Sequence, residues 1–138
     1  MHSHSEDPIK YIYDAWHRTV TARDAKALAE LYAPDAIFES PAVLVTTGSG
    51  ILRGRDAVRD YFDQFFAQVG AGIKEWYRDG RYYSNGTTLV WEYPRVTPFG
   101  EQADIVEFMD TDEQGLITHH RVYWGFYGFK NNLSSPQK

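Results

Sequence analysis

The sequence predicts an α+β fold in which a curved antiparallel sheet, covered by three N-terminal helices, encloses a pocket. Helical periodicity is confined to the first half of the 138-residue chain, and short β-rich runs separated by turn residues fill the second. Aromatic residues make up 16%, with 4 Trp, 10 Tyr and 8 Phe. Large rings with a polar tip suit pocket walls, where one end is apolar and the other wet. A chain of this length buries one core and not two, so residues 1–138 read as a single domain with loose ends at 1–6 and 131–138.

Asp7 followed by Pro8 starts the first helix, because aspartate caps and proline suits the first turn. Ile9, Ile12, Tyr13, Trp16 and Val20 then recur as one apolar stripe. Asp24 caps a shorter second helix carrying Ala25, Leu28, Ala29, Leu31 and Tyr32, and Pro34 stops it. A strand follows from Ala36 to Ser40. The segment from Pro41 to Arg53 reads as a glycine-punctuated loop around Val43, Leu44 and Val45, placed to cover a pocket mouth. It leads into a third helix with Val58, Phe62, Phe65 and Val69 on one side.

After Gly72 the pattern becomes that of an antiparallel meander with three hairpins. Asn85-Gly86 is a two-residue turn signal, and Pro98 to Glu101 makes the second turn. Glu113-Gln114-Gly115 fits a three-residue loop that pairs Asp112 with Leu116. That register sets Asp104 opposite Trp124, Val106 opposite Val122 and Phe108 opposite His120, all on the pocket face. Glu107, His119, Arg121 and Tyr123 take the other face. Asp104 and His120 thereby become polar groups set into an apolar wall.

The net charge of -5, without a basic run, gives no electrostatic footprint for nucleic acid or for an anionic membrane surface. Cysteine is absent, which excludes disulfides, thiolate chemistry and cysteine-ligated metal. No apolar run approaches the roughly 18 residues of a membrane span, and the N-terminus lacks an apolar signal core, so a cytoplasmic location is expected. His119 and His120 are neighbours on a strand and point to opposite faces, so no metal site is expected there. With no phosphate loop or nucleotide motif, the expected partner is a small hydrophobic organic molecule, with no metal or organic cofactor.

Three segments carry a family resemblance: Ala27-Leu28-Ala29-Glu30-Leu31-Tyr32-Ala33-Pro34-Asp35-Ala36-Ile37-Phe38-Glu39-Ser40-Pro41, Arg53-Gly54-Arg55-Asp56-Ala57-Val58, and Asp112-Glu113-Gln114-Gly115. In these the chain resembles the nuclear transport factor 2-like superfamily, in its SnoaL-like and ketosteroid-isomerase-like branch. The resemblance implies a cone-shaped α+β fold and a homodimer. In ketosteroid isomerases a strand-one aspartate shuttles the proton, while a helix-one tyrosine and an uncharged aspartate hold the oxyanion. Carried over by position, the oxyanion aspartate falls on Asp104 and a pocket tryptophan on Trp124. The tyrosine position holds Trp16 and the base position Ser40, so ordinary ketosteroid isomerisation is not expected.

The functional expectation is therefore an isomerase-, cyclase- or lyase-type enzyme that moves a proton next to a carbonyl. His120 would be the acid/base and Asp104 the donor to the oxyanion. Trp16, Tyr32, Ser40, Phe62, Trp91, Tyr93 and Trp124 would line the substrate pocket. Each catalytic assignment has a structural alternative. Asp104 can pair with Arg95 across the second hairpin, and His120 can be a core histidine bonded to a backbone carbonyl or to Tyr32. The alternative for the whole chain is a domain that binds a small molecule without chemistry, or a dimeric interaction domain using the sheet face of Arg121 and Tyr123.

Overall fold

The computed structural model describes residues 7–69 and 76–134. The elements are α1 (Pro8–Thr21), α2 (Ala25–Ala29), β1 (Tyr32–Glu39), α3 (Pro41–Thr47), β2 (Ile51–Arg53) and α4 (Arg55–Val69), then β3 (Tyr83–Ser84), β4 (Thr88–Glu92), β5 (Val96–Thr97), β6 (Gly100–Glu101), β7 (Ile105–Thr111), β8 (Ile117–Trp124) and α5 (Phe126–Ser134). Six strands form one curved sheet in the order β2-β1-β8-β7-β4-β3, and β5 with β6 make a separate ribbon. The sheet is antiparallel except where β1 runs parallel to β8. The switch from helix to meander, placed after Gly72, lies outside the described residues.

Asp7 caps α1 by accepting from the Ile9 N–H at 3.0 Å, and the stripe through Ile12, Tyr13 and Trp16 is buried. Asp24 likewise caps α2 through the Ala27 N–H. That helix ends at Ala29, short of the expected stop at Pro34, which lies inside β1 instead. Proline is tolerated there because the pairing of β1 with β8 is irregular between Tyr32 and Ile37, so its missing N–H breaks no regular ladder.

The segment from Pro41 to Arg53, expected as a loop, contains α3 and β2. Ser40 accepts from the Ala42 N–H at 3.1 Å, Pro41 occupies the first turn, and Gly48 closes the helix with φ 81 in the left-handed region. These cap signals outweigh the glycine content that made the stretch look irregular. Helix α4 is the third helix of the sequence reading, with Val58 and Phe62 buried as expected. Among the described residues four helices rather than three thus precede the meander. Of the end expected to be loose at 131–138, the stretch to Ser134 belongs to α5, and residues 135–138, like 1–6, lie outside the described ones.

The hairpins correct the expected registers. Ser84 pairs with Leu89 rather than closing a two-residue turn, because the Asn85 side chain accepts from the N–H groups of Thr87 and Thr88 and rounds a longer turn. In the second hairpin Thr97 pairs with Gly100, enclosing Pro98 and Phe99. In the third, the Asp112 N–H donates to Leu116 O at 2.9 Å, the expected pair. Beyond it, Thr111 pairs with Ile117 but Asp110 pairs with His119, so Thr118 is an extra residue in β8. This bulge moves β7 by one position relative to β8 and exchanges its two faces. Glu107, not Asp104, Val106 or Phe108, faces inward with His120, Val122 and Trp124.

Helix α5 is seated on the start of β7. The Gly128 N–H donates to Asp104 Oδ1 at 2.7 Å. A Cβ on Gly125 would lie 2.5 Å from the Asp104 carbonyl oxygen and 2.6 Å from its Cγ. Backbone cannot yield cheaply, so Gly125→Ala should destabilise the fold by about 1–3 kcal/mol. A thermal melt of the variant checks this, and an unchanged midpoint would show that α5 is free to shift.

Candidate active site

The concave face of the sheet, α1 and α4 enclose a cavity of about 300 Å³. Its wall is mostly apolar: Trp16 and Val20 come from α1, Phe38 from β1, Tyr61, Phe62 and Phe65 from α4, and Ile105, Val122 and Trp124 from β7 and β8. Into this wall open Glu107 and His120 from adjacent strands, with Ser40 at the end of β1. Glu107 is 4% exposed and His120 0%, so the site holds a carboxyl and an imidazole almost out of water.

Two buried polar groups of this kind are tolerable only when bonded. His120 Nε2 and Glu107 Oε1 lie 2.6 Å apart. On the other side of the ring, His120 Nδ1 lies 2.8 Å from the Tyr32 hydroxyl, which accepts from the Trp16 indole N–H at 3.3 Å. A continuous chain therefore runs Trp16, Tyr32, His120, Glu107. The imidazole is also held by packing, with the Phe38 ring centroid 4.6 Å away and the Trp16 ring edge-on at 6.0 Å. Burial pushes the pKa of Tyr32 far above its ordinary 10.0; the bond from Trp16 opposes this and the Glu107 carboxylate adds to it.

Of the residues singled out in the sequence, Trp16, Ser40, Phe62, His120 and Trp124 line the cavity. Tyr32 stands behind His120, fully buried and outside the cavity wall. Trp91 and Tyr93 are core residues of β4 and its edge; Tyr93 borders a smaller cavity of about 60 Å³ with Trp76 and Gln102. Glu107 was not among the expected site residues. Its only signal in the sequence is a charged residue within the apolar run Ile105-Val106-Glu107-Phe108-Met109, where both faces read as apolar and the bulge at Thr118 decides between them.

Asp104 lies outside the cavity wall. Its Oδ2 accepts from Arg95 at 3.1 Å and its Oδ1 from Gly128, which is the ion-pair alternative. Desolvation pushes the carboxyl up, but the bonds from the Gly128 N–H, from Arg95 and from further backbone N–H groups, Tyr127 among them, outweigh it and hold the pKa below the ordinary 3.8. A depressed folded-state value means stability that is present above 3.8 and drains away as pH falls through the lower folded value. Asp104→Asn should therefore be less stable than the parent near neutrality, with the gap narrowing as pH falls below 3.8. Denaturation midpoints at about pH 7 and about pH 3 check it, and a constant gap would remove the ion pair as its source.

On the outer face His119 pairs with Glu39, and Arg121 donates to Asp110 at 3.1 Å. Among the described residues, no group of three or more His, Asp or Glu side chains is placed to hold a metal. Among the same residues no helix is long and apolar enough to cross a membrane.

A family model of the SnoaL-like domain matches residues 13–120. A Steroid Delta-isomerase from Nocardioides simplex is 31% identical over 101 residues, which span 71% of this chain and 74% of that protein. Among solved structures, a SnoaL-like protein of unknown function from Burkholderia thailandensis aligns with a TM-score of 0.68 at 16% identity, over 89% of this chain and 99% of that one. An NTF2-like protein from Anabaena variabilis aligns at 0.66 and 19% identity, over 93% and 97%. SalBIII, an epoxide hydrolase/cyclase-like enzyme in pyran ring formation in the polyether salinomycin, aligns at 0.57 and 21% identity, over 88% and 94%. At such identities the structural likenesses establish the fold.

Proposed function

The chain belongs to the SnoaL-like family, and from that premise we propose that it is a proton-transfer enzyme, of isomerase, cyclase or lyase type, acting on a small hydrophobic carbonyl compound. One observation carries the reading: the Glu107 and His120 pair, buried in the wall of a mostly apolar cavity. A cavity whose only purpose is to hold an apolar molecule has no use for such a pair. Buried ionisable pairs that open into pockets are where acid–base chemistry concentrates.

In this reading Glu107 is the base. Its Oε1 is engaged by His120, and Oε2 takes a proton from the carbon next to the ligand carbonyl. The electron pair passes to the carbonyl oxygen as an enolate, and the protonated Glu107 returns the proton at the product carbon. The Ser40 hydroxyl serves the enolate oxygen: it accepts from the Ala42 N–H, which leaves its own proton free to donate toward the cavity. Asp104 has no part in this scheme, since as a carboxylate bonded to Arg95 it has no proton to give.

The test is deuterium incorporation. The protein is incubated in D₂O with β,γ-unsaturated ketones, a steroid among them because of the Nocardioides relative, and the carbon next to the carbonyl is examined by mass spectrometry. Enzyme-dependent incorporation or isomerisation is the expected result. A ligand that saturates the cavity yet exchanges no faster than in buffer would make this a binding domain instead.

A further inference from the structure

The hydrogen-bond chain behind the cavity contains one member whose direction is fixed by its chemistry. An indole N–H can donate and cannot accept, so in the Trp16–Tyr32 contact the Tyr32 hydroxyl must be the acceptor. The hydroxyl has a single proton, and the other polar atom it meets is His120 Nδ1 at 2.8 Å. Tyr32 is 0% exposed, so no solvent competes for that proton. If the proton points at Nδ1, that nitrogen must carry its lone pair. The proton of the neutral imidazole then sits on Nε2, aimed at Glu107 Oε1 at 2.6 Å.

We propose that Tyr32 is a positioning residue that locks His120 as the Nε2–H tautomer, so that His120 serves Glu107 as a fixed hydrogen-bond donor rather than acting as the base itself. The orientation of three groups then follows from one obligate donor, Trp16. Its effect reaches the cavity without Tyr32 touching the ligand. A donor aimed permanently at Oε1 fixes the carboxyl group in one orientation and leaves Oε2 for the cavity. The high pKa imposed on Tyr32 by burial agrees with this direction, because the hydroxyl keeps the proton it must donate. The opposite tautomer would leave the buried Tyr32 hydroxyl proton without an acceptor among its contacts, and would set Nε2 and a carboxylate Oε1 as two acceptors face to face.

The catalytic consequence rests on Glu107 being the base, whereas the position of the proton does not. The two are therefore tested separately. In uniformly ¹⁵N-labelled protein, long-range ¹H–¹⁵N correlation spectra report which imidazole nitrogen is protonated, and the His120 signals are those lost in His120→Gln. The expected result is a protonated Nε2 and a pyridine-type Nδ1 near neutral pH, in the presence or absence of any substrate. A proton on Nδ1, alone or with one on Nε2, overturns the proposal. In Glu107→Gln the side-chain amide can either accept from or donate to Nε2, so Tyr32 alone should keep the proton there; adding Tyr32→Phe, which keeps the ring and removes the hydroxyl, should let His120 populate both tautomers. An unchanged spectrum would overturn the role of Tyr32. Should that variant not fold, Trp16→Phe in the Glu107→Gln background reads the same link, since the Tyr32 hydroxyl then loses the donated bond that turns its proton toward Nδ1. If turnover is found, Tyr32→Phe should lose roughly ten- to a hundredfold in kcat with KM little changed, as expected of a group that orients another. A fall in KM-dependent terms alone would mark it as a wall residue.

Discussion

Glu107→Gln should lower turnover by roughly a hundredfold to ten-thousandfold while leaving the protein folded, the range expected when a positioned acid–base group is removed. That loss corresponds to about 3–5 kcal/mol of transition-state stabilisation. The amide is the informative replacement because its carbonyl oxygen can still accept from His120 Nε2, where Glu107 Oε1 now sits at 2.6 Å. The buried imidazole keeps a partner, so a loss of rate is not a loss of structure. Glu107→Ala is the contrasting case. It leaves a histidine that is 0% exposed without its acceptor and opens a void beside it, so a stability loss of about 1–3 kcal/mol should accompany the loss of rate. Steady-state kinetics on a substrate found by deuterium exchange, read beside a denaturation curve for each variant, separates the two. If Glu107→Gln turns over like the parent, the proton is moved by another group.

The contrast between Glu107 and Asp104 shows where the sequence stops being legible. Helix α1 could be read to its first residue because its signals are local: Asp7, Pro8 and a stripe every third or fourth position. The inward direction of His120 was legible too, since Trp124, Val122 and His120 alternate along β8. Which side chains of β7 share that face depends instead on a register set by the single extra residue at Thr118. Nothing in the period of two announces a bulge, and one residue of slip exchanges the faces of the whole strand. With β7 apolar on both sides, the natural choice put the charge of Glu107 outside. The same slip removed Asp104 from the wall and left its ion pair with Arg95, a contact the second hairpin had already made available. The cap at Ser40 was local and could have been read. Ser-Pro followed seven residues later by glycine is a helix with both ends marked, and it explains why Ser40 follows the end of β1 and begins α3.

Trp91→Ala should cost about 3–5 kcal/mol, at the upper end of what a single core truncation removes. On a domain whose total stability is on the order of 5–15 kcal/mol this is a large fraction. It should lower the melting midpoint by roughly 10–20 °C. The residue is 1% exposed and stands at a junction: Tyr13 meets its ring edge-on at 5.3 Å, Trp16 at 5.5 Å and Tyr93 at 6.2 Å. Its stabilisation comes mainly from packing, because among the described residues the buried indole N–H makes no hydrogen bond of good geometry. This gives a second, sharper expectation. Trp91→Phe keeps much of the ring contact and removes a polar atom that gains nothing from burial, so it should cost well under half as much as the alanine variant. The cost of Trp91→Ala should also reach the site. In the pairing of β4 with β7, Trp91 stands opposite Glu107, and its other neighbour, Trp16, begins the chain of bonds that ends on that carboxylate. A void there lets Trp16 withdraw from Tyr32, so whatever activity survives in the folded fraction should resemble that of Trp16→Phe. Thermal melts of the two Trp91 variants, together with the His120 spectrum of the alanine variant, check both halves. Equal melting points for phenylalanine and alanine would mean that the indole N–H, and not the ring, holds the core at this position.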